Sequence, residues 1–307
     1  MWLLLAASAA VCFGLRGILY QWTSRQPADR NMLLFGVYAC GAVVALALNL
    51  FWGQPWTAGA AVGIAMGLFS FVSNSAMHKG FAVGKASLVA LLVGLPPLIV
   101  VLAAMVLWKE HLSVGQTLCF VVILGGGLLV KSAGGLSLRN MEGAQWGLLA
   151  MVTFAFTDLS SKQAALSGGE TLPTLVLMYV TGSLLFAVSA GMDRKRQLAA
   201  EARGGAEAAL ARKETAAAAE GGQPPRWSLG KTVGIGMAVG ISNISGMILM
   251  MPAMKMGITG LVSAIIALNA LIIMLYAWII LRERVKPMEL AGMILAFAGV
   301  LALRLLG

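Results

Sequence analysis

Two ionisable side chains stand inside long apolar runs: Arg16 in the first run and Asp158 in the sixth. An ionisable group near the middle of a bilayer costs roughly 2.5–3.5 kcal/mol, so it normally faces a cavity or a partner. A guanidinium at Arg16 could hold an anionic group. It could equally snorkel, because Tyr20 and the helix end lie only about 7 Å further on. The Asp158 carboxylate could hold a proton or a cationic group, or pair with Lys162 four residues later, acid first. Three amides, Asn74, Asn243 and Asn269, also fall in apolar runs. Buried amides need partners, and these could be a solute or a neighbouring helix. Gly94 and the Pro96-Pro97 pair interrupt the fourth run and free backbone carbonyls, as a hinge or a fixed kink does.

The elements that carry these residues are membrane helices. Of 307 residues 59% are hydrophobic and 11% charged, against roughly 25% charged in a soluble domain, so lipid must solvate much of the chain. Ten runs are long enough to cross: 2–21, 32–51, 57–77, 86–107, 114–131, 144–164, 172–192, 231–251, 258–280 and 288–305. Strict alternation is absent, so they are helices rather than barrel strands. Trp2, Trp22, Trp52, Trp56, Trp108, Trp146 and Trp278 fall near run ends, at headgroup level. The first run has no basic leader and reads as a span.

The net charge of +10 lies in short loops and not in a groove, which argues against nucleic acid. Cys12, Cys40 and Cys119 sit in apolar runs, and His78 and His111 are isolated, so neither a metal nor another cofactor is expected. No catalytic triad or paired carboxylates stand near a membrane face, so an enzyme is not expected either.

The two halves resemble each other. Gly84, Leu88, Val89, Leu95, Glu110 and Gly126 match Gly257, Leu261, Val262, Leu268, Glu283 and Gly299 at one offset of 173 residues. Ser73-Asn74 matches Ser242-Asn243 at 169, and Trp2 matches Trp146 at 144. Repeats are therefore expected at 1–142 and 143–307, with a hydrophilic insertion at 193–230. That insertion is rich in Ala, Glu and Arg, which favour helix, and ends in Gly-Gly and Pro-Pro. Five spans per repeat is odd, so the second repeat enters the membrane inverted. Inverted repeats mark alternating-access transporters, with the solute near the midplane. Inversion also puts Arg16 and Asp158 on opposite sides of the midplane, about 12 Å apart along the normal, too far for one small amino acid to bridge easily, so they serve the inner and outer halves of the pathway or bind in different states. Glu110 and Glu283, mirrored beyond span ends, read as helix caps or ion-pair partners. Gly125, Gly126 and Gly127 read as helix packing or a homodimer surface.

The stretch Gly80–Leu129 resembles the EamA pattern of the drug/metabolite transporter superfamily. It carries Ala86-Ser87-Leu88-Val89-Ala90, Leu95-Pro96-Pro97, Trp108-Lys109-Glu110 and Gly125-Gly126. The second copy carries Met256-Gly257, Leu261-Val262-Ser263, Leu281-Arg282-Glu283, Gly292 and Gly299, and departs from the pattern at Asn269, where a proline is expected. The resemblance implies an all-α polytopic protein of ten transmembrane helices in two inverted five-helix repeats. It also implies export of a metabolite or drug across a bacterial inner membrane through a central cavity lined by both repeats.

Without the long loop, odd-numbered connections hold 9 Lys and Arg, and the even ones with the C-terminal end hold 4. The charge rule puts the odd loops in the cytoplasm and both termini outside, whereas the resemblance implies termini inside. The expected activity is secondary transport of a small polar or amphipathic metabolite, such as an amino acid, with Asp158 as a candidate for proton coupling. The rivals are a sugar or nucleoside uptake carrier and a non-transporting membrane scaffold.

Overall fold

The structure, a computed structural model, describes residues 1–24, 26–83, 89, 92–132, 143–204, 227–269, 272 and 287–306. Ten α-helices lie among them and no strand: α1 Trp2–Ser24, α2 Arg30–Trp52, α3 Val62–Val83, α4 Pro96–Trp108, α5 Val114–Ser132, α6 Ala144–Leu166, α7 Thr171–Gly204, α8 Leu229–Met256, α9 Thr259–Ala267 and α10 Pro287–Leu306. Five are long and apolar enough to cross a membrane by themselves: α1, α2, α3 with the turn before it, α7 and α8. Shorter apolar helices lie in α4, α5 and α10. Helix α7 runs on past the seventh span to Gly204, through the first part of the insertion, where Ala, Glu, Arg and Gln favour helix. Residues 205–226 of that insertion, Trp278 and Glu283 lie outside the described residues.

Contacts between connections sort into two faces. On one, the α2–α3 and α6–α7 connections meet: Thr57 donates to the Gly168 carbonyl at 2.7 Å, and the Leu172 N–H donates to Gln54 at 2.7 Å. On the other, the Trp227 N–H donates to the Pro27 carbonyl at 3.0 Å. Trp22 and Trp227 rings lie 5.9 Å apart, and Asn31 donates to Asp193 at 2.7 Å. We call these the even-loop and odd-loop faces.

Small residues let the helices of the bundle approach. A Cβ on Gly63 would meet the Thr174 carbonyl oxygen at 2.2 Å, and one on Gly67 the Met178 oxygen at 2.6 Å, so α3 touches α7 backbone to backbone. Gly236 and Gly240 do the same from α8 to α2, against the carbonyls of Leu33 (2.2 Å) and Val37 (2.6 Å). Gly63 and Gly236, and Gly67 and Gly240, are each 173 residues apart. By this packing Asn243 takes the place of Ser70, one turn from Asn74. The sequence match of Ser73-Asn74 to Ser242-Asn243, at 169 residues, and these glycine contacts, at 173, differ by one helical turn.

A second exchange joins α2 to α7. Tyr38 packs on Gly182, and Tyr179 packs on Gly41, with ring centroids 5.5 Å apart. Gly126 abuts Gly292 and Ala296 of α10, so it packs within the chain, while Gly125 faces open space.

The fourth and ninth runs are not continuous helices. In the fourth, Gly94 turns, Leu95 adopts φ −99° and ψ 0°, and Pro96 and Pro97 open α4, where a missing N–H costs nothing. In the ninth, α9 stops at Ala267. The Leu95 N–H donates to Leu92 O at 3.0 Å, and the Leu268 N–H donates to Ile265 O at 3.1 Å. The two breaks fall at matching positions, and the ninth forms without proline.

Candidate functional site

Both breaks open on one cavity of about 90 Å3. Its polar lining is Arg16 of α1, Asp158 and Thr157 of α6, Asn243 of α8, Ser263 of α9, Ser70 of α3, and Asn269 just past the second break. Phe13, Phe154, Val93 and three methionines supply the apolar wall, with Pro96 and Pro97 at the first break. The sequence candidates Arg16, Asp158, Asn243, Asn269, Pro96 and Pro97 therefore meet in one place. Asn74 does not line it, and Gly94 lines a small apolar void beside α5.

Arg16 is held as a cavity residue rather than a snorkelling one. Its Nη1 donates to Asn243 Oδ1 at 2.7 Å, and its guanidinium carbon sits 4.6 Å from the Phe13 ring centre and 5.7 Å from that of Tyr20. Its buried Nε has no partner among the described residues. A charged donor half satisfied in an apolar wall can take an anionic group.

Asp158 accepts a 2.5 Å hydrogen bond from the Ser263 hydroxyl. The helical pair with Lys162 read from the sequence does not form. Lys162, buried one turn nearer the even-loop face, pairs instead with Glu110 at 3.0 Å and donates to the Gly257 carbonyl at 3.3 Å. Glu110 wins because it also caps α9: one oxygen accepts from the Thr259 N–H at 2.9 Å, the other from the Thr259 hydroxyl at 3.0 Å. A carboxylate at a helix N-terminus meets unpaired N–H groups and the positive end of the dipole. Among the described residues Asp158 has no charged partner, and it is turned to the cavity.

Asn74 belongs to a separate polar cluster. Its Nδ2 donates to Tyr38 Oη at 3.0 Å, the Ser70 carbonyl at 2.8 Å and Ser70 Oγ at 3.4 Å, and Tyr38 Oη bonds Ser70 Oγ. The Tyr20 ring packs edge-on to His78, with centroids 5.4 Å apart. Sequence reasoning missed Tyr20, Tyr38, His78 and Tyr179 as a group. The signal available was the repeated Tyr-x-x-Gly at 38–41 and 179–182.

A family model, the EamA-like transporter family, matches residues 1–132 and 141–305. Twenty-nine chains of known structure match. One of them, described only as the crystal structure of a protein, superposes with a TM-score of 0.70 at 17% identity, covering 99% of this chain and 96% of that one. Among curated proteins none matches.

Proposed function

We propose that this chain, which belongs to the EamA-like transporter family of multi-pass membrane proteins, is a secondary transporter for a small polar metabolite bearing both an acidic and a basic group. The carrying observation is that Arg16 and Asp158, from opposite halves of the chain, line the same cavity with two amides and an aromatic wall. The two charges are expected about 12 Å apart along the normal, so Arg16 takes the carboxylate and Asp158 the ammonium in different states of the cycle, and the phenylalanine and methionine wall accommodates an apolar side chain. An amino acid has this chemistry. The cavity is smaller than the roughly 300 Å3 of ordinary ligand sites, so it widens on loading.

Residues 1–142 and 143–307 act as inverted five-helix repeats in this reading, in support of which stand the matched glycine contacts and the matched breaks. The breaks at Leu95 and Leu268 serve as hinges for alternating access. In the empty carrier Asp158 can take up a proton, which couples transport to the proton gradient. In this reading the odd-loop face lies in the cytoplasm with both termini outside, which the loop charges support, and the membrane is a bacterial inner membrane with export as the direction, as the family resemblance implies. Ser70, Thr157 and Ser263 beside the amides favour a second reading, a neutral sugar or nucleoside as solute.

A thermal-shift panel of amino acids, sugars and nucleosides on the wild type, Arg16→Ala and Asp158→Asn decides between them. Ligand at 100 times its dissociation constant adds about 2.7 kcal/mol. The proposal expects an amino acid to stabilise the wild type and neither variant. Stabilisation by a sugar or nucleoside that survives both substitutions would contradict it.

A further inference from the structure

Seven buried side-chain polar atoms have no hydrogen-bond partner among the described residues. Six belong to Arg16, Tyr20, Asn74, His78, Tyr179 and Ser183, which run from the middle of the bundle toward the odd-loop face; the seventh, on Asn49, lies near the other end of α2. The six are connected. Arg16 and Tyr20 are one turn apart on α1, and Tyr20 packs against His78. His78 is one turn from Asn74 on α3, and Asn74 bonds Tyr38, whose ring meets that of Tyr179. Tyr179 is one turn from Ser183 on α7. At its inner end the chain returns to the cavity through Ser70 and Arg16.

These atoms are not loosely placed. Tyr179 is fully buried, Asn74 is 2% exposed, Tyr20 6% and His78 9%. Asn74 spends its amide hydrogens on Tyr38 and Ser70, and its Oδ1 is left over. A single orphaned polar atom in a core is costly, and buried polar groups are nearly always paired with protein or water. A connected row of them, ending at a cavity, has the make-up of a water path.

We propose that Tyr20, Asn74, His78 and Tyr179 form a water-binding passage that joins the central cavity to the odd-loop face, along which the solute exchanges its hydration. This rests on the transport reading of the cavity. It makes the odd-loop side the one that opens from the state described here. Water admitted there gains partners that the closed layer withholds.

The test uses the full-length chain with its three native cysteines replaced by alanine and a reporter, Ala267→Cys, in the cavity wall. The probe is a small cationic methanethiosulfonate, so the result does not depend on knowing the solute. Into this background go Tyr20→Phe and Tyr179→Phe, which remove two orphaned hydroxyls and keep the rings. The proposal expects a melting temperature equal to or above the parent's, because no protein bond is lost, and reporter labelling several-fold slower, because the path is drier. A lower melting temperature with unchanged labelling would show that protein groups hold the hydroxyls, and would overturn it. An unchanged rate with a raised melting temperature would also overturn it, leaving only inert buried polarity. Neither outcome touches solute binding by Arg16 and Asp158, which the ligand panel reads separately.

Discussion

The cavity is closed on its two sides by layers of different chemistry. Toward the even-loop face, Lys162, Glu110, Thr259 and the Gly257 carbonyl satisfy one another, with Asp158 and Ser263 paired one turn deeper. Toward the odd-loop face, Tyr20, Asn74, His78 and Tyr179 are as deeply buried, yet each leaves a polar atom unmatched. Both layers exclude solvent; among the described residues the first is held together by an ion pair and charge-assisted bonds, whereas on the odd-loop side a charge-assisted bond forms outside the tyrosine layer, from Asn31 to Asp193. The difference teaches that burial alone does not make a tight gate. A layer whose polar groups are all matched loses bonds on opening, whereas an unmatched layer gains them from water.

The largest effect is expected at the matched layer. Lys162→Ala leaves the half-buried Glu110 without its cation and should destabilise the fold by about 3 kcal/mol, the low end for breaking a buried pair, in denaturant or thermal unfolding. A loss below about 1 kcal/mol would mean that the pair is solvated in the membrane protein and the layer is not tight. Next comes Thr259→Ala, which removes one hydrogen bond to a carboxylate and keeps the N–H cap, at about 1.5–3 kcal/mol. Ser263→Ala should cost a similar or smaller amount in stability. It should also weaken amino acid binding by no more than about tenfold, because Asp158 keeps its charge. The smallest effect is expected at Pro96→Ala, about 1 kcal/mol or less. The break at Leu268 forms with the same backbone hydrogen bond and no proline. If the break at Leu95 vanished in this variant, the two hinges would differ in origin.

Much of this was legible in the sequence for physical reasons. Apolar runs of membrane-spanning length announce helices, and a charge inside such a run has few places to go, so Arg16 and Asp158 stood out as candidates, with snorkelling and a pair with Lys162 left open. Pro96-Pro97 marked the first break. Nothing marked the second, because no proline stands there and Asn269 is not a strong helix breaker. The partner of Lys162 was hidden as well. Asp158 is the nearer acid along the chain, but Glu110 arrives through tertiary folding and already holds the end of α9. The Ser-Asn dipeptide gives a register of α3 against α8 four residues away from that of the glycine contacts. It competes with a pair of glycines spaced four apart, and the glycines, which set how close two helices can come, fix the packing.

The sidedness of access tests the central contrast most directly. Oriented vesicles would carry the Ala267→Cys reporter in the cysteine-free chain, and the membrane-impermeant cationic methanethiosulfonate would be added to one face at a time. The account predicts labelling that is several-fold faster from the odd-loop face, and a Lys162→Ala variant in which the even-loop face catches up. Faster labelling of the unaltered reporter protein from the even-loop face would contradict it.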